Sequence, residues 1–318
     1  MDNFLDPAIL FFVFGVFAGL VRSNLEIPAP IARFLSLYLL MALGLKGGFA
    51  LERSGFTAEI LATLGLAVAL AVVVPVVGYQ LLRRFLPRLD AAAVAATYGS
   101  VSAVTFITAT QSLDHHGIAY GGHMAAAMAL MESPAIILAI VLANRARAAA
   151  ATGHAVAPVG KVLHESFTDG AQLLLLGSMA VGYFSGSAGE TLMAPFSIDL
   201  FKGMLAFFLL DMGLMAARQM SSLRDRSLTA IFYALLAPLV HASLALGLAT
   251  ALGIPRGDTI LLMVLAASAS YIAVPAVLRH SLPEVAPGVY MSMSLGITFP
   301  LNIIAGIPLY TAMTGFMA

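Results

Sequence analysis

Ten apolar stretches of roughly membrane-spanning length follow one another along this chain of 318 residues. A bilayer core about 30 Å thick requires about 20 helical residues, and in hydrocarbon only helices and closed barrels satisfy every backbone polar group. The sequence therefore predicts an all-α polytopic membrane protein with ten transmembrane helices. The predicted spans cover residues 8–21, 31–46, 57–80, 91–112, 120–143, 168–186, 196–217, 227–252, 258–279 and 287–314.

The composition agrees with a bilayer environment. Hydrophobic residues make up 60% of the chain and charged residues 10%, whereas an ordinary soluble domain has about 25% charged residues. A net charge of zero argues against a nucleic-acid partner. The absence of cysteine excludes disulfides, thiolate metal sites and cysteine nucleophiles. We expect no organic cofactor.

The basic residues predict the orientation. Twelve of the 16 lysines and arginines fall at span ends and loops that share one face of the membrane, and the positive-inside rule makes that face cytoplasmic. Both termini should then lie outside the cell (inner or plasma) membrane. The twelve inner residues are Arg22, Arg33, Arg83, Arg84, Arg88, Arg145, Arg147, Lys161, Arg218, Arg224, Arg226 and Arg279.

Short sequence echoes relate the two halves of the chain. The segment 40–45 resembles 209–214, Pro134 corresponds to Pro300, and a pair of serines recurs, at offsets of 169, 166 and 168 residues. Five spans per half is an odd number, so the halves would cross the membrane in opposite directions. We predict two inverted five-helix repeats, 1–143 and 168–318, joined by a cytoplasmic linker, 144–167, which is either a plain connection or a docking site for a regulator.

Two spans contain polar interruptions at mid-membrane. Ser100 and Ser102 lie within the fourth span and Ser268 and Ser270 within the ninth, among glycine and alanine. Glycine and serine weaken a helix, and matched interruptions in two halves indicate the binding site of a secondary transporter. A close-packed interface of small residues is the alternative.

The chemistry of an interrupted span suits ions. The N-terminus of a half-helix attracts an anion, and freed carbonyls with serine hydroxyls are suitable ligands for a small cation. We expect Ser102 to be the N-cap of a helix that restarts near residues 103–105. Pro275 should occupy the first position of the helix that restarts in the ninth span.

Other intramembrane polar residues are further candidates. Glu132 is ionisable at mid-span, which favours a functional role, although it also suits a structural role beside Pro134. Thr298 and Asn302 flank Pro300 in the last span, and Asp211 lies deep in the seventh, for structure or for a cation. The segment 44–48 lacks the phosphate-loop pattern. The sequence also lacks His-Glu-x-x-His, so we expect no intramembrane enzyme.

Three motifs together resemble the sodium-dependent bicarbonate transporters, the single-protein Na⁺/HCO₃⁻ symporters best known from cyanobacterial inorganic carbon uptake. The motifs are Gly99–Phe106, Leu43–Gly48 and Ala267–Pro275. The resemblance implies discontinuous helices 4 and 9 that cross at the midplane, spans 3–5 and 8–10 as a core, spans 1, 2, 6 and 7 as a gate, and a homotrimer. It implies sodium-coupled symport of bicarbonate by alternating access.

The resemblance also implies the site residues. Bicarbonate and sodium would bind at Gly99, Ser100, Val101, Ser102, Ala103, Thr105, Ser268, Ala269, Ser270 and Tyr271, with Glu132, Thr298 and Asn302 as further candidates and with sodium held by the four serines. Family members that bind a PII-like regulatory protein tend to have a longer cytoplasmic segment between the repeats. The resemblance therefore implies this partner only if the shorter linker of this chain is enough to bind it. The alternatives are a sodium-coupled carrier of another small organic anion and a sodium/proton antiporter of similar architecture.

Overall fold

The computed structural model describes residues 6–55, 57–149, 170–221, 223 and 227–317, and within these ranges the regular structure is helical. The helices are α1 (Pro7–Leu20), α2 (Ala29–Ser54), α3 (Ala58–Leu82), α4 (Arg88–Gly99), α5 (Ala103–His115), α6 (Met124–Ala149), α7 (Gly170–Ala194), α8 (Phe201–Ser221), α9 (Leu228–Ala251), α10 (Arg256–Ala267), α11 (Ala273–Ser281) and α12 (Pro287–Met313). A π-helical turn joins α7 to α8, and two more interrupt α12.

Six of the described helical segments are long and apolar enough to cross a membrane. They are α2, α3, the stretch Arg88–His115, the stretch Gly170–Met220, α9 and α12. The prediction of a helical, multi-pass membrane protein is therefore confirmed. Large apolar side chains such as Phe184 and Leu192 lie on the surface of α7, where lipid can cover them.

Side-chain caps explain where several helices begin. Asp6 accepts from the Ala8 N–H at the start of α1, and Ser227 accepts from Ala230 at the start of α9. The end of α6 differs from the prediction. This helix runs to Ala149, so the first part of the predicted linker 144–167 is helical. Alanine and arginine favour helix strongly, which explains the extension. The remainder of that linker lies outside the described residues.

Two helix pairs pack with their backbones in close approach, α2 with α7 and α1 with α8. A Cβ on Gly44 would lie 2.4 Å from the Leu175 carbonyl oxygen, and one on Gly213 would lie 2.3 Å from the Phe12 carbonyl oxygen. Gly44 and Gly213 are corresponding positions in the echo between 40–45 and 209–214. The echo therefore falls at two equivalent helix crossings, where only glycine leaves room for the neighbouring backbone.

Replacing Gly48 by alanine should destabilise the α2–α7 contact. The added Cβ would lie 2.1 Å from the Met179 carbonyl oxygen, and overpacking of this kind costs about 1–3 kcal/mol. We expect a clear fall in the melting temperature of the purified protein. Gly65→Ala is the matched control, because a Cβ on Gly65 meets nothing within 4 Å and alanine favours helix. Equal melting temperatures for the two variants would contradict this account.

The centre of the fold is formed by α4 and α10, which are buried on every side. The segment 91–99 of α4 and the segment 257–267 of α10 are buried at every position. A helix that is apolar all round belongs in the interior. Helix α3 packs on α4 and α6, and α9 packs on α10, so the C-terminal ends of α4 and α10 are held inside the molecule.

Candidate substrate and sodium site

Both serine-rich stretches coincide with gaps between helices. Helix α4 ends at Gly99 and α5 begins at Ala103. Helix α10 ends at Ala267 and α11 begins at Ala273. The residues that follow each end, Ser100 and Ser268, have extended backbones with φ of −95° and −80°. We name these gaps the first break (residues 100–102) and the second break (residues 268–272).

Each break supplies hydrogen-bond partners for the other. The Ser102 N–H donates to the Ser268 Oγ at 2.9 Å, and that hydroxyl donates in turn to the Leu265 carbonyl at 2.8 Å. The Ser270 N–H donates to the Thr97 carbonyl at 2.8 Å. Backbone groups freed at one break are thus satisfied by the other, as burial requires. These contacts bring the four predicted serines into one buried region.

The serine hydroxyls differ in what they bind. Ser102 Oγ accepts from the Thr105 N–H at 3.2 Å and from the Thr105 hydroxyl at 2.9 Å, so the predicted N-cap of α5 is confirmed. Ser270 Oγ accepts from the Val274 N–H at 3.2 Å. Ser100 Oγ is buried and has no hydrogen-bond partner within the part of the chain that the structure describes. A buried hydroxyl without a partner suits a ligand.

A cavity of about 200 Å³ opens where the two breaks meet. Its wall combines residues of both breaks with residues of α2, α6 and α7. Glu132 of α6 and Gln172 of α7 face it, and Gln172 Nε2 donates to Glu132 Oε2 at 2.7 Å. The other polar or break-derived lining residues are Ser36, Val101, Ser102, Ala103, Ser270, Tyr271, Ile272 and Ala273.

Several predicted site residues do not line this cavity, namely Gly99, Ser100, Thr105, Ser268, Ala269, Thr298 and Asn302. Gly99 packs on Pro75, whose ring atoms would lie 2.5 Å from an added Cβ. Thr298 Oγ1 donates to the Ala234 carbonyl at 2.9 Å, and Asn302 Nδ2 donates to the Ala267 carbonyl at 2.9 Å. Asn302 thereby satisfies the last carbonyl of α10.

The remaining candidates from the sequence lie in or just after the second break. Ala269 is buried within the second break, and Tyr271 packs its ring edge-on against Phe299 at 5.2 Å between centroids. Pro275 is the third residue of α11, so the prediction that the helix restarts at this proline was wrong by two residues. The Ser270 hydroxyl already satisfies the Val274 N–H, and proline is still tolerated in this first turn because its missing N–H would have no helical acceptor.

Sequence reasoning missed Ser36 and Gln172. Gln172 stands at the beginning of a long apolar run, and an uncharged amide near a predicted span edge does not signal a site. Ser36 lies on α2 away from either break in sequence, and only the packing of α2 against α7 brings it to the cavity wall. The only signal in the sequence was that each is a polar residue within a predicted span. That signal is weak, because many such side chains only form a hydrogen bond to a carbonyl of their own helix.

Within the described ranges, no group of three His, Cys, Asp or Glu side chains is placed to hold a metal ion. His123 instead pairs with Asp258, with Nε2 and Oδ2 3.3 Å apart and both side chains buried. The breaks themselves carry serine hydroxyls and backbone carbonyls, which are suitable ligands for sodium.

Comparison with known proteins agrees with this architecture. No curated protein matches the chain. The family model described as the Na⁺-dependent bicarbonate transporter superfamily matches residues 7–315, which is nearly the whole sequence. The resemblance carried by the two serine-rich motifs and the segment 43–48 is thus confirmed over residues 7–315, and the chain belongs to the Na⁺-dependent bicarbonate transporter superfamily.

Proposed function

We propose that this protein imports bicarbonate together with sodium across the cell membrane by alternating access. As a member of a transporter family the chain is a transporter and not an enzyme. The observation that carries the proposal is the cavity at which the two breaks meet, because the first residues of α5 and α11 and the serines Ser102 and Ser270 all line it. Sodium and bicarbonate are both substrates in this scheme.

The helix contacts support an inverted repeat of ten spans. In such a repeat each of spans 1–5 corresponds to the span five places later. The contact between α2 and α7 then corresponds to the contact between α8 and α1, and the contact between α3 and α4 corresponds to that between α9 and α10. All four contacts are extensive in the structure. We propose that α4 with α5, and α10 with α11, are the discontinuous spans 4 and 9. Helices α3–α6 and α9–α12 then form the core, and α1, α2, α7 and α8 form the gate.

Bicarbonate is assigned to the beginnings of α5 and α11. As first helical residues, Ala103 and Ala273 present N–H groups that their own helices cannot satisfy, and both residues line the cavity. The Ser102 Oγ already accepts two hydrogen bonds from Thr105, so its lone pairs are used and the group it has left to offer a ligand is its proton. Ser102 therefore suits bicarbonate better than sodium.

Sodium is assigned to the hydroxyls that keep a free lone pair. Ser100 Oγ has no partner among the described residues, and Ser268 and Ser270 each accept one hydrogen bond. Each of these oxygens can still coordinate a cation. Placing the cation beside the anion compensates both charges in a buried site, where an isolated charge would be costly.

The cavity size favours a small anion. Pockets for drug-sized ligands have volumes of about 300–1,000 Å³, whereas this cavity has about 200 Å³. Bicarbonate has four heavy atoms and fits this space. A bulky organic anion would require a larger cavity, whereas another small organic anion is separated from bicarbonate by competition in the uptake assay.

A second candidate, a sodium/proton antiporter, is favoured only by the Glu132 carboxyl at the cavity wall. Uptake of labelled bicarbonate into proteoliposomes distinguishes the two. We expect uptake that requires sodium, collapses when potassium replaces it, and is not driven by a proton gradient alone, because hydroxyls and carbonyls do not titrate. Proton-driven transport without sodium would reject the proposed function and favour the antiporter.

The proposed function includes an oligomeric state and an orientation in the membrane. We propose a homotrimer with both termini outside and with the linker at the cytoplasmic face, where it is either a plain connection or a docking site for a PII-like regulator. A cysteine near Gly189 should then react with an impermeant thiol reagent in intact cells. One in the linker should react only after the inner face is opened, and the reverse labelling would overturn the orientation.

A further inference from the structure

The motif Leu43–Gly48 places a lysine between two close backbone contacts. Gly44 and Gly48 face α7, while the Gly47 carbonyl oxygen would lie 2.2 Å from a Cβ on Gly122, in the loop before α6. Helix α2 is thus held between α7 on one side and the α5–α6 loop on the other. Lys46 points from this position to Asp114 of α5, with Nζ 3.1 Å from Oδ2.

Lys46 and Asp114 line a second cavity of about 260 Å³. Their side chains are 27% and 38% exposed, so the ion pair is open to solvent on one side. The lysine is also held by an aromatic ring, with Nζ 4.9 Å from the centroid of Phe201. Its ammonium group thus has two contacts, one with the Asp114 carboxylate and one with the Phe201 ring.

The two cavities lie end to end along the same helices. On each of three helices, one residue lines the first cavity and a residue two or three positions away lines the second. The pairs are Leu40 and Leu43 on α2, Val104 and Phe106 on α5, and Met128 and Ala125 on α6. The order is reversed on α6, as expected for helices that alternate in direction. On these three helices, apolar side chains less than one helical turn apart therefore separate the two cavities.

We propose that Lys46 is the residue that receives bicarbonate in the second cavity, and that the Asp114 carboxylate occupies the anion's place until it arrives. Bicarbonate carries its charge on a planar O–C–O group with the shape of a carboxylate, so it can replace Asp114 beside the ammonium group. In the proposed orientation this cavity lies at the outer face, where the substrate enters. This inference rests on the proposed function and adds a recognition residue outside the two breaks.

The two partners of the ion pair should affect uptake in opposite directions. Lys46→Gln removes the attracting charge and should raise the half-saturating concentration of external bicarbonate by about fivefold. Asp114→Asn removes the competing carboxylate and should lower that concentration. The half-saturating concentration of sodium should not change in either variant. Lys202→Gln, which removes the same charge from an exposed position on α8, is the matched control.

If the ion pair only stabilises the structure, the two variants should shift the half-saturating concentration of bicarbonate in the same direction, because each removes the same contact. Shifts of both variants in the same direction would therefore overturn the proposal. If Lys46→Gln does not reach the membrane, Asp114→Asn alone decides, since a raised bicarbonate requirement in that variant contradicts competition.

A direct binding measurement separates this inference from the proposed function. In the purified protein, bicarbonate but not chloride should slow the reaction of Lys46 with an amine-specific reagent, with Lys202 as the internal reference in the peptide mass spectrum. Sodium-independent or absent transport would reject the proposed coupling and leave this protection in place. Transport with no protection of Lys46 would reject only the role of Lys46.

Discussion

Ser102→Ala and Ser270→Ala should each raise the half-saturating concentration of a substrate while the protein still reaches the membrane. Each change removes a hydroxyl from the wall of a buried cavity. Losing one such partner costs on the order of 1–3 kcal/mol, or roughly fivefold to a hundredfold in apparent affinity. Ser102→Ala should act mainly on bicarbonate, because its lone pairs already face Thr105, and Ser270→Ala mainly on sodium. Uptake kinetics with each substrate varied separately measure both effects.

Loss of a helix cap is a competing explanation for Ser102→Ala, since the hydroxyl caps α5. Ser227→Ala is the matched control, because Ser227 caps α9 in the same way at an exposed position away from the cavity. A cap costs about 1 kcal/mol of stability wherever it is. Similar losses of stability but different substrate requirements would support the site. Unchanged bicarbonate and sodium dependence in both cavity variants would return the serines to a packing role.

The sequence could predict the breaks because their chemistry is local. Serines next to glycine and alanine weaken a helix whatever surrounds them, and Ser102 caps α5 through its own neighbour Thr105. The two glycines Gly44 and Gly213 could also be paired in advance, since the echo between segments 40–45 and 209–214 aligns them, and both lie at close helix crossings. These features follow from short stretches of chain and from one repeated pattern.

The second break and the cavity wall were harder to predict because they depend on distant contacts. Helix α11 begins two residues before Pro275, where the Ser270 hydroxyl satisfies the Val274 N–H. Gln172 reaches the cavity only because α7 packs beside α6, where it bonds Glu132. No periodicity in one span reports which residues of another span will face it, so such residues require the three-dimensional structure.

Asn302 lies beside the second break and makes two hydrogen bonds there. The sequence proposed it as a site residue beside Pro300, and the structure places it next to the second break. Its amide donates to the Ala267 carbonyl at 2.9 Å and its oxygen accepts from the Tyr310 hydroxyl at 2.8 Å. Because it is fully buried and bonded at both ends, we propose that it holds the end of α10 and does not bind substrate.

Asn302→Leu should therefore lower stability strongly without changing substrate requirements. The variant leaves the Ala267 carbonyl and the Tyr310 hydroxyl buried without their partner, and each unsatisfied group costs about 1–3 kcal/mol. We expect a large fall in melting temperature and less protein in the membrane, with normal half-saturating concentrations per molecule that remains. Tyr310→Phe, which removes one of the two bonds, should have a smaller effect of the same kind.

Thr311→Val is the matched control for Asn302→Leu, because the Thr311 hydroxyl in the same helix only donates to the Ile307 carbonyl four residues earlier. It should leave both melting temperature and transport close to normal. If Asn302 instead binds sodium or bicarbonate, Asn302→Leu should show near-normal stability with a raised substrate requirement. That outcome would move Asn302 into the site, because a residue that only secures the end of α10 cannot alter substrate affinity while stability is unchanged.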